Sequence, residues 1–115
     1  MTVYGIKTCG SVKNALSFFK THNIDVNFHD FKTTPVDDKK ISSWLTKADM
    51  KVLLNTKGTK YKTLGLSALN LDEEQKLSWL VKENLLIKRP VIECDDGSII
   101  IGFDEVRYEE KFLSH

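Results

Sequence analysis

The sequence predicts an α/β fold in which a β-rich start and a β-rich end are separated by an all-helical middle. Three observations predict it. A strand, a helix and a second strand fill the first stretch of chain, about 30 residues, the size of a βαβ unit. Residues 34–86 carry helical periodicity and helix-start signals without a strand pattern. Two short apolar runs then flank Asp95-Asp96-Gly97, which reads as a hairpin followed by a last helix.

The first strand is Thr2 to Ile6, a short β-rich run stopped by polar Lys7-Thr8. Val12, Ala15, Leu16 and Phe19 follow at i, i+3, i+4 and i+7, one apolar stripe of a helix beginning near Ser11. Ile24, Val26 and Phe28 alternate with Asp25, Asn27 and His29, the period of a half-buried strand. The next helix is expected to start with Thr34 as N-cap and Pro35 at its first position, with Ile41, Trp44 and Leu45 as its apolar face. A short helix around Met50–Leu54, a turn over residues 55–60 and a helix from near Asp72 complete the middle. Asp72-Glu73-Glu74 suits the positive end of the helix dipole, and Leu77, Leu80 and Val81 form the buried stripe. Val91–Cys94 and Ser98–Ile101 are the hairpin strands. Asp104 can cap the last helix, with Phe103, Val106 and Phe112 facing inward. This order, β-α-β, helices, β-β-α, is that of thioredoxin with extra helices between its halves. The halves span about 1–33 and 87–115, the insert about 34–86, within one domain over 1–115.

Whole-chain properties narrow the function classes. With 41% apolar and 29% charged residues, the composition is that of a globular protein. Seventeen basic and sixteen acidic residues leave +1, so no electrostatic case exists for a nucleic-acid or membrane partner. The N-terminus lacks the charged head and apolar stretch of a signal peptide, and a cytoplasmic location is expected. Cys9 and Cys94 are too few for a disulfide framework or a structural zinc site, and His22, His29 and His115 show no metal-ligand spacing.

Cys9 is where the chemistry points. It sits in the turn between a strand and a helix, where unpaired N–H groups and the helix dipole stabilise a thiolate. Lys7 and Lys13 add positive charge, Gly10 allows close backbone approach, and Ser11 can donate a hydrogen bond to sulfur. The loop thus combines an anion site with an activated nucleophile; the alternative is a cysteine that merely packs. Cys94, after Val91 and Ile92, reads as a core residue. Arg89-Pro90 opens the third strand with a planar, always-charged fork suited to oxyanions or carboxylates, or with a solvated arginine. Lys57, Lys60 and Lys62 read either as an anion patch or as a solvated loop.

Three runs in this order carry a family resemblance: Tyr4-Gly5-Ile6-Lys7-Thr8-Cys9 leading to Lys13-Asn14-Ala15, Leu53-Leu54-Asn55-Thr56-Lys57-Gly58-Thr59, and Ile87-Lys88-Arg89-Pro90. Together they resemble the ArsC family, in its YffB branch, grouped with Spx/MgsR-type proteins. The resemblance implies a thioredoxin-like fold with an inserted helical subdomain and a catalytic cysteine, here Cys9. In the family's arsenate reductases that cysteine attacks arsenate, glutathione and glutaredoxin resolve the adduct, and three arginines help hold the oxyanion. Only Arg89 matches; the other two positions fall on Asn55 and Gly102, and Arg107 does not match. An oxyanion needs charge-assisted donors to offset its desolvation, so the resemblance implies a glutathione-dependent thiol reductase rather than arsenate reduction. The site it implies is Cys9 with Lys7, Gly10, Ser11, Val12, Lys13, Arg89 and Pro90 as substrate-binding residues. Glutathione is the expected co-substrate, glutaredoxin a further candidate partner, and no cofactor is held permanently. The Spx branch implies an alternative, a regulator that binds RNA polymerase, although Val12 stands where a Cys-x-x-Cys switch would have its second cysteine.

Overall fold

A computed structural model describes residues Met1–Leu113; His115, one of the three histidines above, lies outside the described residues. The chain forms a mixed α/β structure of two compact units. One comprises Met1–Asp30 with the chain from Arg89 onward; the other is Phe31–Lys88.

The first unit is built on four strands: β1 (Thr2–Gly5), β2 (Asn27–Asp30), β3 (Val91–Glu93) and β4 (Ile99–Ile101), in the order β2-β1-β3-β4. β1 runs parallel to β2, with Val3 opposite Phe28, and antiparallel to β3, with Val3 opposite Ile92. β3 pairs antiparallel with β4, and Ile92 faces Ile100 across the ladder. The hairpin turn closes as its residues dictate. Gly97 takes a φ of 87°, and Asp96 accepts hydrogen bonds from the Ser98 amide and hydroxyl.

Helix α1 (Gly10–Thr21) buries Val12, Ala15, Phe18 and Phe19. Its C-terminus closes in a Schellman pattern. Asn23 adopts φ 57°, the Ile24 amide donates back to the Phe19 carbonyl at 2.9 Å and the Asn23 amide to the Lys20 carbonyl at 3.2 Å. That bond corrects the expected second strand: Ile24 belongs to the helix cap, so β2 starts only at Asn27. Ile24 and Val26 instead pack, half-buried, against the core.

The last helix, here α6 (Glu105–Phe112), is capped by Asp104, which accepts from the Arg107 amide at 3.1 Å. Tyr108 is its fully buried residue, ringed by Phe18, Phe19, Phe103 and Phe112. The expected inward Val106 is 62% exposed. Residues two apart on a helix point in nearly opposite directions, so once Tyr108 and Phe112 face the core, Val106 cannot. The core of this unit combines Val3, Ala15, Phe18, Phe19, Ile92, Cys94, Ile100 and Tyr108.

The second unit is helical: α2 (Asp38–Leu45), α3 (Met50–Leu53), α4 (Thr59–Thr63) and α5 (Glu73–Lys82), with 3-10 turns at Leu66–Leu69 and Asn84–Leu86. The expected N-cap at Thr34 moves to Asp37, whose carboxylate accepts from the Lys40 amide at 3.0 Å. The cause is non-local. Asn84, buried, accepts from the Val36 amide at 2.7 Å and donates to the carbonyls of Val36 and Leu80. Val36 is thereby committed outside the helix. The helix at Asp72 starts where expected, in a reciprocal capping box with Gln75. Leu80 is its fully buried residue, with Leu77 and Val81 partly so. The turn after Leu54 ends two residues early, because Thr59 and Lys60 already belong to α4. Leu54 and Ile87 form an isolated antiparallel bridge.

Candidate functional site

Cys9 is the N-cap of α1. Its backbone is extended (φ −77°, ψ 128°) and its carbonyl accepts the first helical bond, from Lys13, at 3.0 Å. The next amides therefore point past its side chain, leaving their N–H groups for sulfur instead of for a carbonyl. Cys9 is half-buried, and burial, the largest single influence, disfavours its thiolate. Hydrogen bonds from the Val12 amide, the Arg89 side chain and the Ser11 amide outweigh it together with the Arg89 charge, so the thiol is held below its ordinary value.

The structure thus brings Cys9, Ser11, Val12 and Arg89 together, across 80 residues of sequence in the case of Arg89. Ser11 acts through its backbone amide. Lys7 and Lys13 are exposed, and neither is among the groups with the largest influence on Cys9. Gly10 is exposed, and a Cβ built there meets nothing within 4 Å, so no protein neighbour requires its bare backbone. Arg89 is half-buried and joined by a cis bond to the buried Pro90, at the entry to β3.

Gly102, where the resemblance would place an arginine, has a φ of 87°. Its amide donates to the Pro90 carbonyl at 2.8 Å, and its carbonyl accepts from the Tyr108 hydroxyl at 2.7 Å. A side chain in this left-handed backbone would be strained.

Cys94 is the opposite of Cys9. It is buried in the core, and burial pushes its thiol above the ordinary value despite a hydrogen bond with Ser98. It follows Glu93, which pairs with Thr2 at the start of β1, whereas Cys9 lies beyond the other end of that strand. At about 3.3 Å rise per residue, the length of β1 alone exceeds the Cα separation a disulfide spans, and both cysteines are free. The His22 ring packs at a tilt against Phe18 and that of His29 against Tyr4. Lys60 pairs with Glu83 at 3.8 Å, and Lys57 and Lys62 are exposed.

One residue escaped the sequence reading. Gly5, at the end of β1, is buried against Val12, and a Cβ built on it would lie 2.5 Å from Val12 Cγ2. The available signal was a glycine inside a strand pattern, which marks close approach of another element.

The model of the ArsC family matches residues 4–111. The chain belongs to the ArsC family. A protein of Haemophilus influenzae is 38% identical over 97% of this chain and 98% of its own length. The regulatory protein MgsR of Bacillus subtilis is 26% identical over 90% of this chain and 83% of its own. Among solved structures, a YffB protein superposes with a TM-score of 0.86 at 28% identity, over 95% of this chain and 96% of that one. The fold of this ArsC-family chain is thus thioredoxin-like, and its relatives include proteins named as arsenate reductase and as Spx regulators. Among the described residues no helix is long and apolar enough to cross a membrane.

Proposed function

We propose that this chain is a glutathione-dependent thiol reductase of the reducing cytoplasm, with Cys9 as nucleophile. One observation carries the reading: the Cys9 sulfur receives the Val12 and Ser11 amides and the Arg89 guanidinium, a donor set that favours thiolate. The thiolate attacks a disulfide, forming a Cys9–S bond and releasing the other sulfur as a thiolate. Val12 occupies the place of a resolving cysteine, and Cys94 lies at the far end of the sheet. Release therefore falls to an external thiol. Glutathione thiolate attacks the mixed disulfide, a new disulfide leaves with the captured group, and Cys9 returns as thiolate. A second glutathione thiolate then displaces the captured group from that mixed disulfide, so two glutathione thiols end as one glutathione disulfide for each substrate disulfide reduced to two thiols. Glutaredoxin is a partner able to speed the release. Arg89 is the fork for a carboxylate of the incoming peptide thiol, and the exposed Lys7, Gly10, Ser11 and Lys13 flank its approach, whereas the buried Val12 contributes its amide and the buried Pro90 holds the chain beside Arg89. With one arginine of three, arsenate is the poorer substrate.

The test is incubation with oxidised glutathione, then mapping of the adduct by mass spectrometry in the wild type, Cys9→Ser and Cys94→Ser. Modification at Cys9, reversed by reduced glutathione, is expected; modification at Cys94 alone would count against the proposal. Similarity to MgsR favours a second reading, a regulator that binds RNA polymerase without a redox switch. Polymerase subunits recovered equally by wild type and Cys9→Ser in a pull-down would favour it.

A further inference from the structure

We propose that Gly5 is a positioning residue for Cys9: its missing side chain leaves room for Val12 against the end of β1, so that nothing pushes the first turn of α1, with the Val12 amide, away from the Cys9 sulfur. The inference deepens the reading of Cys9 as nucleophile and rests on it.

The geometry leaves little freedom. A Cβ built on Gly5 would lie 2.5 Å from Val12 Cγ2, 3.4 Å from Cγ1 and 3.5 Å from Cβ. The first distance is far inside van der Waals contact, so one partner must move. Gly5 is poorly placed to yield. It pairs with Asp30 in the parallel ladder, and Tyr4 beside it pairs with Val91 on the other side, within the inner strand β1. Nor can Val12 swing away, because a β-branched side chain in a helix has one strongly preferred rotamer and Val12 is wholly buried. What remains free to move is the first turn of α1, residues Gly10–Lys13, whose outer face is exposed. That turn carries both amides that donate to Cys9. Displacing it lengthens and misdirects these bonds, which fall off steeply with distance and angle. Gly5 thus reaches the sulfur through packing alone.

The experiment measures alkylation of Cys9 by iodoacetamide across pH, in a Cys94→Ser background. Gly5→Ala should raise the apparent pKa by about half a unit to one unit, a roughly three- to tenfold loss of thiolate at a pH below both values. Val12→Ala, which keeps the amide and adds no clash, is the reference for the double variant. Gly5→Ala/Val12→Ala should restore it, because removing both Cγ atoms makes room for the new Cβ. Val12→Ile adds a methyl group to the crowded contact and should move the pKa up by less. An unchanged pKa in both folded Gly5→Ala and Val12→Ile would overturn the proposal. So would a shift that persists in the double variant, since Gly5 would then act by another route. Should Gly5→Ala not fold, the double variant and Val12→Ile decide by the same criteria. A wild-type pKa at or above about 8.5 would defeat the activated-nucleophile reading itself, an outcome distinct from failure of the Gly5 step.

Discussion

Replacing Arg89 with methionine tests the electrostatic account of Cys9. Arg89 acts twice, through a hydrogen bond to sulfur and through its charge, and its influence stands against burial, the largest effect. A hydrogen bond to a charged group is worth about 1.5–3 kcal/mol net. Cys9 is only half-buried, so the low end applies after discounting for solvent screening. About 1.4 kcal/mol corresponds to one pKa unit, and Arg89→Met should therefore raise the apparent pKa by roughly one unit. Arg89→Lys should fall between, because it keeps a charge and loses the planar fork. Lys13→Ala should shift the value far less, its exposed ammonium being screened. Rates of iodoacetamide reaction across pH, with Cys94→Ser as background, read all of these. A pKa unmoved in folded Arg89→Met, or moved less than in Lys13→Ala, would refute the account.

Other consequences are open to measurement. Because the folded-state pKa of Cys9 lies below its unfolded value, its thiolate contributes stability that is fully present above the unfolded pKa of about 8.5 and is lost as pH falls through the folded one. Urea unfolding of the wild type relative to Cys9→Ser should show that loss on acidification, and a flat difference would contradict it. Asn84→Ala strands the Val36 amide and the Leu80 carbonyl, and should cost about 2–4 kcal/mol in urea unfolding. Tyr108→Phe keeps the aromatic cluster but removes the donor to Gly102, so thermal unfolding should report a loss of about 1 kcal/mol. Cys94, whose thiol is pushed up by burial, should react with iodoacetamide only as fast as the protein unfolds; rapid labelling of native Cys9→Ser at neutral pH would contradict its burial.

Where a signal is local, the residues themselves determined the structure. The α1 stripe, the Asp72–Gln75 box, the Asp95-Asp96-Gly97 turn and the position of Cys9 at a helix start each depend on side chains a few residues apart. Their energetics are complete within one turn of chain, so they can be read without the fold. The α/β class followed from the order of such pieces.

Tertiary structure decided the rest, because the deciding partner is distant. Asp37 rather than Thr34 caps α2 because Asn84, 48 residues on from Val36, ties that amide down. Tyr108 rather than Val106 turns inward because four aromatic rings from elsewhere in the unit enclose it. The same holds at the site. Sequence located Cys9 and its helix and put Lys7, Lys13 and Arg89 in one candidate site, but it could not rank their charges. The antiparallel pairing of β3 with β1 delivers Arg89 to the sulfur. A thiolate responds to hydrogen bonds and charge through space, and the sheet register sets those distances.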